Sequence, residues 1–381
     1  MHPRTMSRAA GVSLIELMVA LAIGSLLILG LVQVFAASRA AYTTSEGMGR
    51  VQENGRFAID FLQRDIRMAG HFGCVNDQAH WVKGAGDLVN HLGAATASLN
   101  FGVSITGYEA TSTAPGNAVT IGAAAAGWSP ALPMTLSPAP RPGSDIIALR
   151  YLAEEGIPIN TLTAVGTETQ VAFPSGRAGV LTAGGVGTPT LFGVADCSQV
   201  DVFKGTLSGN TVTSVDATEL FSGKYSGVAV GGNAHVYRAE SIVYYVANGA
   251  SGEPSLYRAR AGSTGAYTSE ELVEGIESLQ FLYGRDATVN ISAATPPTGN
   301  ITLQDTAATL TASAAEWRRV GLVQVGLLAR SPNPAASTDP ATAGARPRVL
   351  GVQFNPPATA DARYRNSYEV TVALRNRLFG N

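Results

Sequence analysis

The sequence predicts an α+β protein, in which one long N-terminal helix packs on an antiparallel β domain with long loops. Three observations predict it. Val12 to Ala37 is a 26-residue apolar run broken by a single charge, Glu16, and helical periodicity continues from there to residue 70. From Asp145 onward, short runs rich in β-branched and aromatic residues alternate with turn residues. Charged residues make up only 14% of the chain, against 43 glycines and 19 prolines, a composition of extracytoplasmic β-rich proteins.

Residues 1–11 read as a short leader with two positive charges, Arg4 and Arg8. Met6 is an alternative start that leaves an equally short basic leader. As a helix, residues 12–37 reach roughly 39 Å, enough to cross a hydrocarbon core of about 30 Å. Positive charge before the run and a large domain after it place the leader in the cytoplasm and the bulk outside. Glu16 is the anomaly, because a carboxylate at that depth costs on the order of 2.5–3.5 kcal/mol. An uncleaved signal anchor would have the same hydrophobicity but leaves the acid unexplained.

Residues 38–70 read as the same helix leaving the membrane. Val51, Ala58, Ile59, Leu62, Ile66 and Ala69 recur at helical spacing, with Arg50, Glu53, Arg56, Asp60, Arg64 and Arg67 mainly on other faces. Arg56–Asp60 and Asp60–Arg64 are i,i+4 pairs worth a few tenths of a kcal/mol, and Gly70 stands where a left-handed cap belongs. Gly47, Gly49 and Gly55 each weaken the middle by about 1 kcal/mol relative to Ala, which marks a place for the helix to bend or melt.

The remainder, 71–381, reads as one β-rich domain. Phe72, Trp81 and Leu88 are packing candidates. The stretch 94–142 is loop-rich, since Pro130, Pro133, Pro138, Pro140 and Pro142 rule out long regular elements. Strands are expected at 146–152, 190–194, 199–203, 241–246, 255–260, 320–328 and 368–375. Residues 272–283 are ambiguous between helix and strand, with a strand at their end; 286–312 and 331–347 read as loops. The two cysteines, Cys74 and Cys197, are most simply a disulfide in an oxidising compartment, two buried thiols being the alternative.

Enzyme chemistry finds little support. There is no Gly-x-Ser-x-Gly elbow, P-loop or EF-hand-like loop, and Gly184, Gly185 and Gly187 follow no strand-to-helix pattern. His71, His80 and His91 lack metal-ligand spacing and read as surface or loop histidines. Asp60 and Asp65, five apart on the helix, read as solvent-exposed salt-bridged acids, and Glu154-Glu155 and Glu270-Glu271 as solvated charges. A net charge of −2, falling to −4 once the leader is lost, provides no basic surface for nucleic acid. No cofactor or metal is expected, and no catalytic role.

The order Gly11-Val12-Ser13-Leu14-Ile15-Glu16-Leu17-Met18-Val19 resembles the class III signal of type IV prepilins and type II secretion pseudopilins. Val12 and Ser13 depart from the Phe and Thr commonest there. The resemblance implies that a prepilin peptidase cuts between Gly11 and Val12 and methylates the new Val12 amino group. It also implies that Glu16 docks against that amine in a neighbouring subunit, where the ion pair sets register more than raw stability. Further motifs resemble the PilW family of minor pilins and its relative, pseudopilin J. They are Arg64–Gly70 with Phe72-Gly73-Cys74, Tyr244-Tyr245, Leu256-Tyr257-Arg258, Leu272–Glu277, Phe281-x-Tyr283-Gly284 and Thr371–Arg377. What this implies is a low-abundance subunit of the inner membrane, with a periplasmic domain, that passes to the base or tip of a pilus. Its implied partners in a hetero-oligomer are other minor pilins, the major pilin, a PilY-type tip adhesin and the inner-membrane assembly platform. Priming of assembly, adhesion and twitching motility are the implied roles. A type II secretion pseudopilin J is the related alternative. A membrane-anchored periplasmic enzyme or binding protein is the alternative of a different class.

Overall fold

The computed structural model describes residues 11–76, 88–93, 96–215, 220–228, 232–292, 294–310, 313–335, 346–359 and 361–377. The leader residues 1–10, including Arg4 and Arg8, lie outside these, as do His80, Trp81 and most of the expected loop 331–347.

A single helix, Leu14–Met68, runs for 55 residues, about 80 Å of length. Gly47, Gly49 and Gly55 do not break it. Two of them serve close approach instead: a Cβ on Gly47 would strike the Cβ of Ala335, and one on Gly55 would fall inside the ring of Tyr368. Gly49 faces open space. The expectation of a melted segment at these glycines is therefore corrected. Packing compensates the propensity lost at Gly47 and Gly55, and the turns on either side hold Gly49 in register. The buried stripe is Gly47, Val51, Gly55, Ala58, Leu62, Asp65 and Ile66, spacings of three and four that put one face on the domain. At the far end Gly70 adopts φ 75°, and its N–H donates to Arg150 O at 3.2 Å. The helix end is thus tied to the sheet as the chain turns.

Fourteen strands carry the domain: β1 (Ile105–Ala110), β2 (Ile146–Leu152), β3 (Thr161–Val165), β4 (Glu168–Ala172), β5 (Leu191–Ala195), β6 (Val200–Ser208), β7 (Thr211–Val215), β8 (His235–Asn248), β9 (Pro254–Ala261), β10 (Tyr267–Glu274), β11 (Ile276–Asp286), β12 (Ile301–Asp305), β13 (Val320–Arg330) and β14 (Arg365–Ala373). One antiparallel sheet has the order β12-β11-β13-β14, and its inner face packs against the helix. The larger sheet runs β1-β2-β8-β5-β6-β7-β4-β3, with β9 on β8 and β10 on β9. Strand β8 is the shared element. Its first residues, His235–Arg238, pair with β5, whereas Ala239–Tyr244 pair with β2 and Ile242–Asn248 with β9.

Two main cores result. In the first, Val51, Ala58, Leu62 and Ile66 of the helix meet Ile147, Leu149, Ile242, Leu279, Phe281, Val323 and Val325. Each such buried aliphatic contributes roughly 1.5–3 kcal/mol. The second belongs to the segment between β2 and β8 and holds Phe173, Phe192, Phe203 and Phe221, with the Phe203 and Phe221 rings 4.7 Å apart. This lobe stands apart from the core that packs on the helix.

Several expectations change at this level. Residues 272–283 cover the end of β10 and the start of β11, strands of different sheets joined at Gly275, φ 82°, where a Cβ would crowd Arg330 O. The expected loop 286–312 contains β12, paired to β11, and a helical turn, Ala307–Leu310. The expected loop 94–142 contributes β1, which lies inside the larger sheet between β2 and the two-residue strand Trp128–Ser129.

Candidate assembly site

The head of the chain is built from Gly11, Val12, Ser13 and Glu16. Gly11 to Ser13 precede the helix and are exposed. Ser13 is the N-cap, and it forms a capping box with Glu16. The Ser13 N–H donates to Glu16 Oε2 at 3.0 Å, and the Glu16 N–H donates to Ser13 Oγ at 3.3 Å. The acid that looked misplaced in an apolar helix thus satisfies a backbone donor of its own first turn and sits at the positive end of the helix dipole. Beyond it, Leu14, Ile15, Leu17, Met18 and Leu21 are each more than half exposed. The helix stays uncovered past residue 37, and its first buried residue is Gly47.

The domain holds the other half of the helix through a few polar contacts. Tyr368 Oη donates to Val51 O at 3.2 Å, Asn376 Nδ2 to Arg67 O at 2.9 Å, and Asn54 Nδ2 to Glu274 O at 2.9 Å. Asp65, expected in solvent, is buried instead. Its Oδ2 accepts from Tyr244 Oη at 2.6 Å and from Arg258 Nη1 at 3.3 Å. Asp65 falls on the same side as Leu62 and Ile66, so burial of that stripe takes the carboxylate inside; Asp60 stays exposed. Burial first, and then the Asp65 charge, push the Tyr244 phenol well above its usual range. Burial alone would pull Arg258 down, but Tyr244, Glu270 and Asp65 outweigh it and hold the guanidinium above its usual range.

From Asp65 an alternating file of buried and half-buried charges runs toward the second lobe. Arg258 reaches Glu270 at 2.7 Å, Arg260 reaches Glu270 at 3.0 Å and Glu240 at 3.1 Å, and Arg238 reaches Glu240 at 2.7 Å. Arg238 ends on Leu181 O and Ala183 O in the second lobe. Glu270 and Glu271 are therefore more than solvated charges: Glu271 accepts from Ser255 Oγ and Tyr257 Oη. Glu154 and Glu155 are exposed as expected, Glu155 pairing with Arg177.

His91 also departs from expectation. It is buried, and its Nε2 lies 2.5 Å from Asp201 Oδ1; Tyr225 Oη donates to Asp201 Oδ2 at 2.5 Å and Lys224 Nζ sits 3.3 Å away. Burial pushes Asp201 up, but these partners outweigh it and leave its carboxyl below the usual range. The cluster has the form of a satisfied buried carboxylate. His71, on the surface side, faces Leu152 O at 2.8 Å. Cys74 and Cys197 are joined in a disulfide that closes a separation of 123 residues and ties the chain beyond the helix to the end of β5.

Sequence reasoning missed the capping box, although Ser13 three residues before Glu16 is its signature. It missed Asp65 as a buried group, although Asp65 completes the i, i+3 and i+4 pattern of Leu62, Ile66 and Ala69.

Two family models match the chain. Residues 243–376 match PilW, the type IV pilus-assembly protein W, and residues 6–32 match the prokaryotic N-terminal methylation motif. The first match begins inside β8 and takes in β9 to β14; the second covers Gly11, Val12 and Glu16. No curated protein matches the chain. Among solved structures it is similar to the type IV-like pilin TTHA1219 from Thermus thermophilus at 14% identity and a TM-score of 0.22, over 50% of this chain and 86% of that one, a likeness too slight to carry an argument. The apolar helix with the methylation motif at its head makes this a membrane-anchored pilin. The match over its tail narrows the likeness, and the two matches together support a PilW-like minor pilin of the type IV pilus.

Proposed function

We propose that this subunit is cut by the prepilin peptidase between Gly11 and Val12, is methylated on Val12, and joins other minor pilins in a complex that primes the pilus and sits at its tip. The domain beyond the helix is periplasmic before assembly. The major pilin, a PilY-type adhesin and the inner-membrane assembly platform are its further partners, and adhesion and twitching motility are the outputs. The observation that carries this reading is the combination of a type IV pilus-assembly protein W match with an apolar helix headed by Glu16.

In this reading the capping box is the resting state of the assembly acid. Glu16 accepts from its own Ser13 N–H until a neighbour's Val12 amine competes for the same carboxylate. The paired variants Glu16→Ala and Ser13→Ala separate the two roles. Both lose the box, at a cost of about 1 kcal/mol to the helix start. Only Glu16→Ala loses the docking acid. Co-purification with partner minor pilins from membranes is expected to fail for Glu16→Ala and to survive in Ser13→Ala, with both variants still cleaved. Equal loss in the two would reduce Glu16 to a cap.

A further inference from the structure

Arg150 lies in the middle of β2 and is only 2% exposed. Its Nη1 donates to Val103 O and its Nη2 to Ala97 O, both at 2.7 Å. Its Nε is buried and has no hydrogen-bond partner among the described residues. Two other buried arginines are compensated: Arg238 faces Glu240 at 2.7 Å and Arg319 faces Glu316 at 2.8 Å. Among the described residues the Arg150 side chain has only these neutral carbonyls as hydrogen-bond partners. Its neighbour Tyr108 supplies no negative charge, because burial pushes that phenol up to about 12 against the pull of Arg150. A buried cation held only by dipoles is costly, and an anion beside it would remove most of the cost.

Space for one exists. Arg150 lines a cavity of about 230 Å³. Val103, Tyr108, Pro130, Ala131 and Pro133 supply apolar walls, and none of its lining residues is acidic. A cavity of about 150 Å³ already accommodates a benzene-sized body. Ala131 and Pro133 are exposed, so the mouth opens between them and solvent. Asn100 and Thr106 add polar groups to the lining beside Arg150, and a largely apolar cleft with a few convergent polar groups is the usual form of a small-molecule site.

We propose that this cavity binds a small carboxylate with a flat or short apolar body, its anionic end meeting the Arg150 guanidinium. The Pro-rich segment around residues 130–133, which no strand or assembly role explains, is then one wall of the site. The carboxylate comes either from a free small acid or from the C-terminus of a peptide chain. Calorimetric titration of the full-length protein in detergent tests this with three probes: 3-phenylpropionate, its primary amide, and the tripeptide Ala-Ala-Phe with a free carboxyl end. The acid is expected to bind and the amide to bind at least about tenfold more weakly, since hydrogen bonds to charged groups are the stronger ones. Tripeptide binding without binding of the free acid would assign the source to a chain terminus. Ala131→Trp fills the mouth without touching Arg150 and is expected to lower affinity at least tenfold with an unchanged unfolding midpoint. Arg150→Met should lose binding as well, but it also releases Val103 and Ala97, which is why the mouth variant is the cleaner test. Equal binding of acid and amide, no binding of either acid or tripeptide, or full affinity in Ala131→Trp would overturn the proposal.

Discussion

Gly55 and Gly49 sit six residues apart on one helix and should respond in opposite ways to the same change. In each case Gly→Ala gains about 1 kcal/mol of helix propensity. At Gly49 the new methyl meets open space, so the gain is kept. At Gly55 it enters the ring of Tyr368, which reaches onto the helix from β14, the strand beside β13. Overpacking of this kind costs roughly 1–3 kcal/mol. Displacing the ring also breaks the bond from Tyr368 Oη to Val51 O, worth about 1 kcal/mol. Gly49→Ala should therefore be about 1 kcal/mol more stable than wild type, and Gly55→Ala about 1–3 kcal/mol less stable. Equilibrium denaturation of the full-length protein, followed by tryptophan fluorescence, measures both, and the shared propensity gain cancels in the comparison. If Gly55→Ala proved as stabilising as Gly49→Ala, the account of the helix–domain seam would be wrong.

Two further outcomes follow from buried groups. Burial pushes the Asp145 carboxyl up to about 7 from 3.8, against hydrogen bonds from Ala110 N, Phe281 N and Thr113 Oγ1. Between those values the folded chain keeps a proton that the unfolded chain has released, so this group's contribution falls as pH rises from about 4 to 7. Asp145→Asn should flatten the stability–pH slope across that window; a slope like that of wild type would contradict the assignment. The Cys74→Ser/Cys197→Ser pair frees a loop of 123 residues and should lower stability by up to about 5 kcal/mol in the chain-entropy model, read as a lower denaturant midpoint. A midpoint unchanged by the double substitution would show that the disulfide does not constrain the unfolded chain.

The helix was legible because its signals agree. The apolar run, the periodic stripe from Val51 to Ala69 and the cap at Gly70 all point to one element. The strands β2, β8, β9, β13 and β14 were legible for a similar reason, since each carries a run or an alternation of apolar, β-branched or aromatic residues. In the second lobe β5 and β6 lie where strands were expected, but β3, β4 and β7 were not legible. Thr161–Val165, Glu168–Ala172 and Thr211–Val215 are rich in Thr with modest apolar alternation, so periodicity gave no strong signal. Their turns did carry one: Gly166-Thr167 and Gly209-Asn210 are two-residue connections with positive φ at the glycine, 62° and 58°, the expected form of a tight hairpin. Buried polar groups were the least legible. Asp65, His91 and Asp201 are inside because distant residues, Tyr244, Arg258 and Tyr225, arrive to satisfy them, and no local pattern announces such partners. At the head of the chain, the motif named Gly11, Val12 and Glu16 directly, whereas the reciprocal bonds between Ser13 and Glu16 emerged only with the structure.

The most direct test of the central claim is the intact mass of the protein extracted from membranes of a strain that carries its prepilin peptidase. The account predicts a mature chain that begins at Val12 and carries one added methyl group. A mass that retains residues 1–11, or that lacks the methyl group on a cleaved chain, would contradict it.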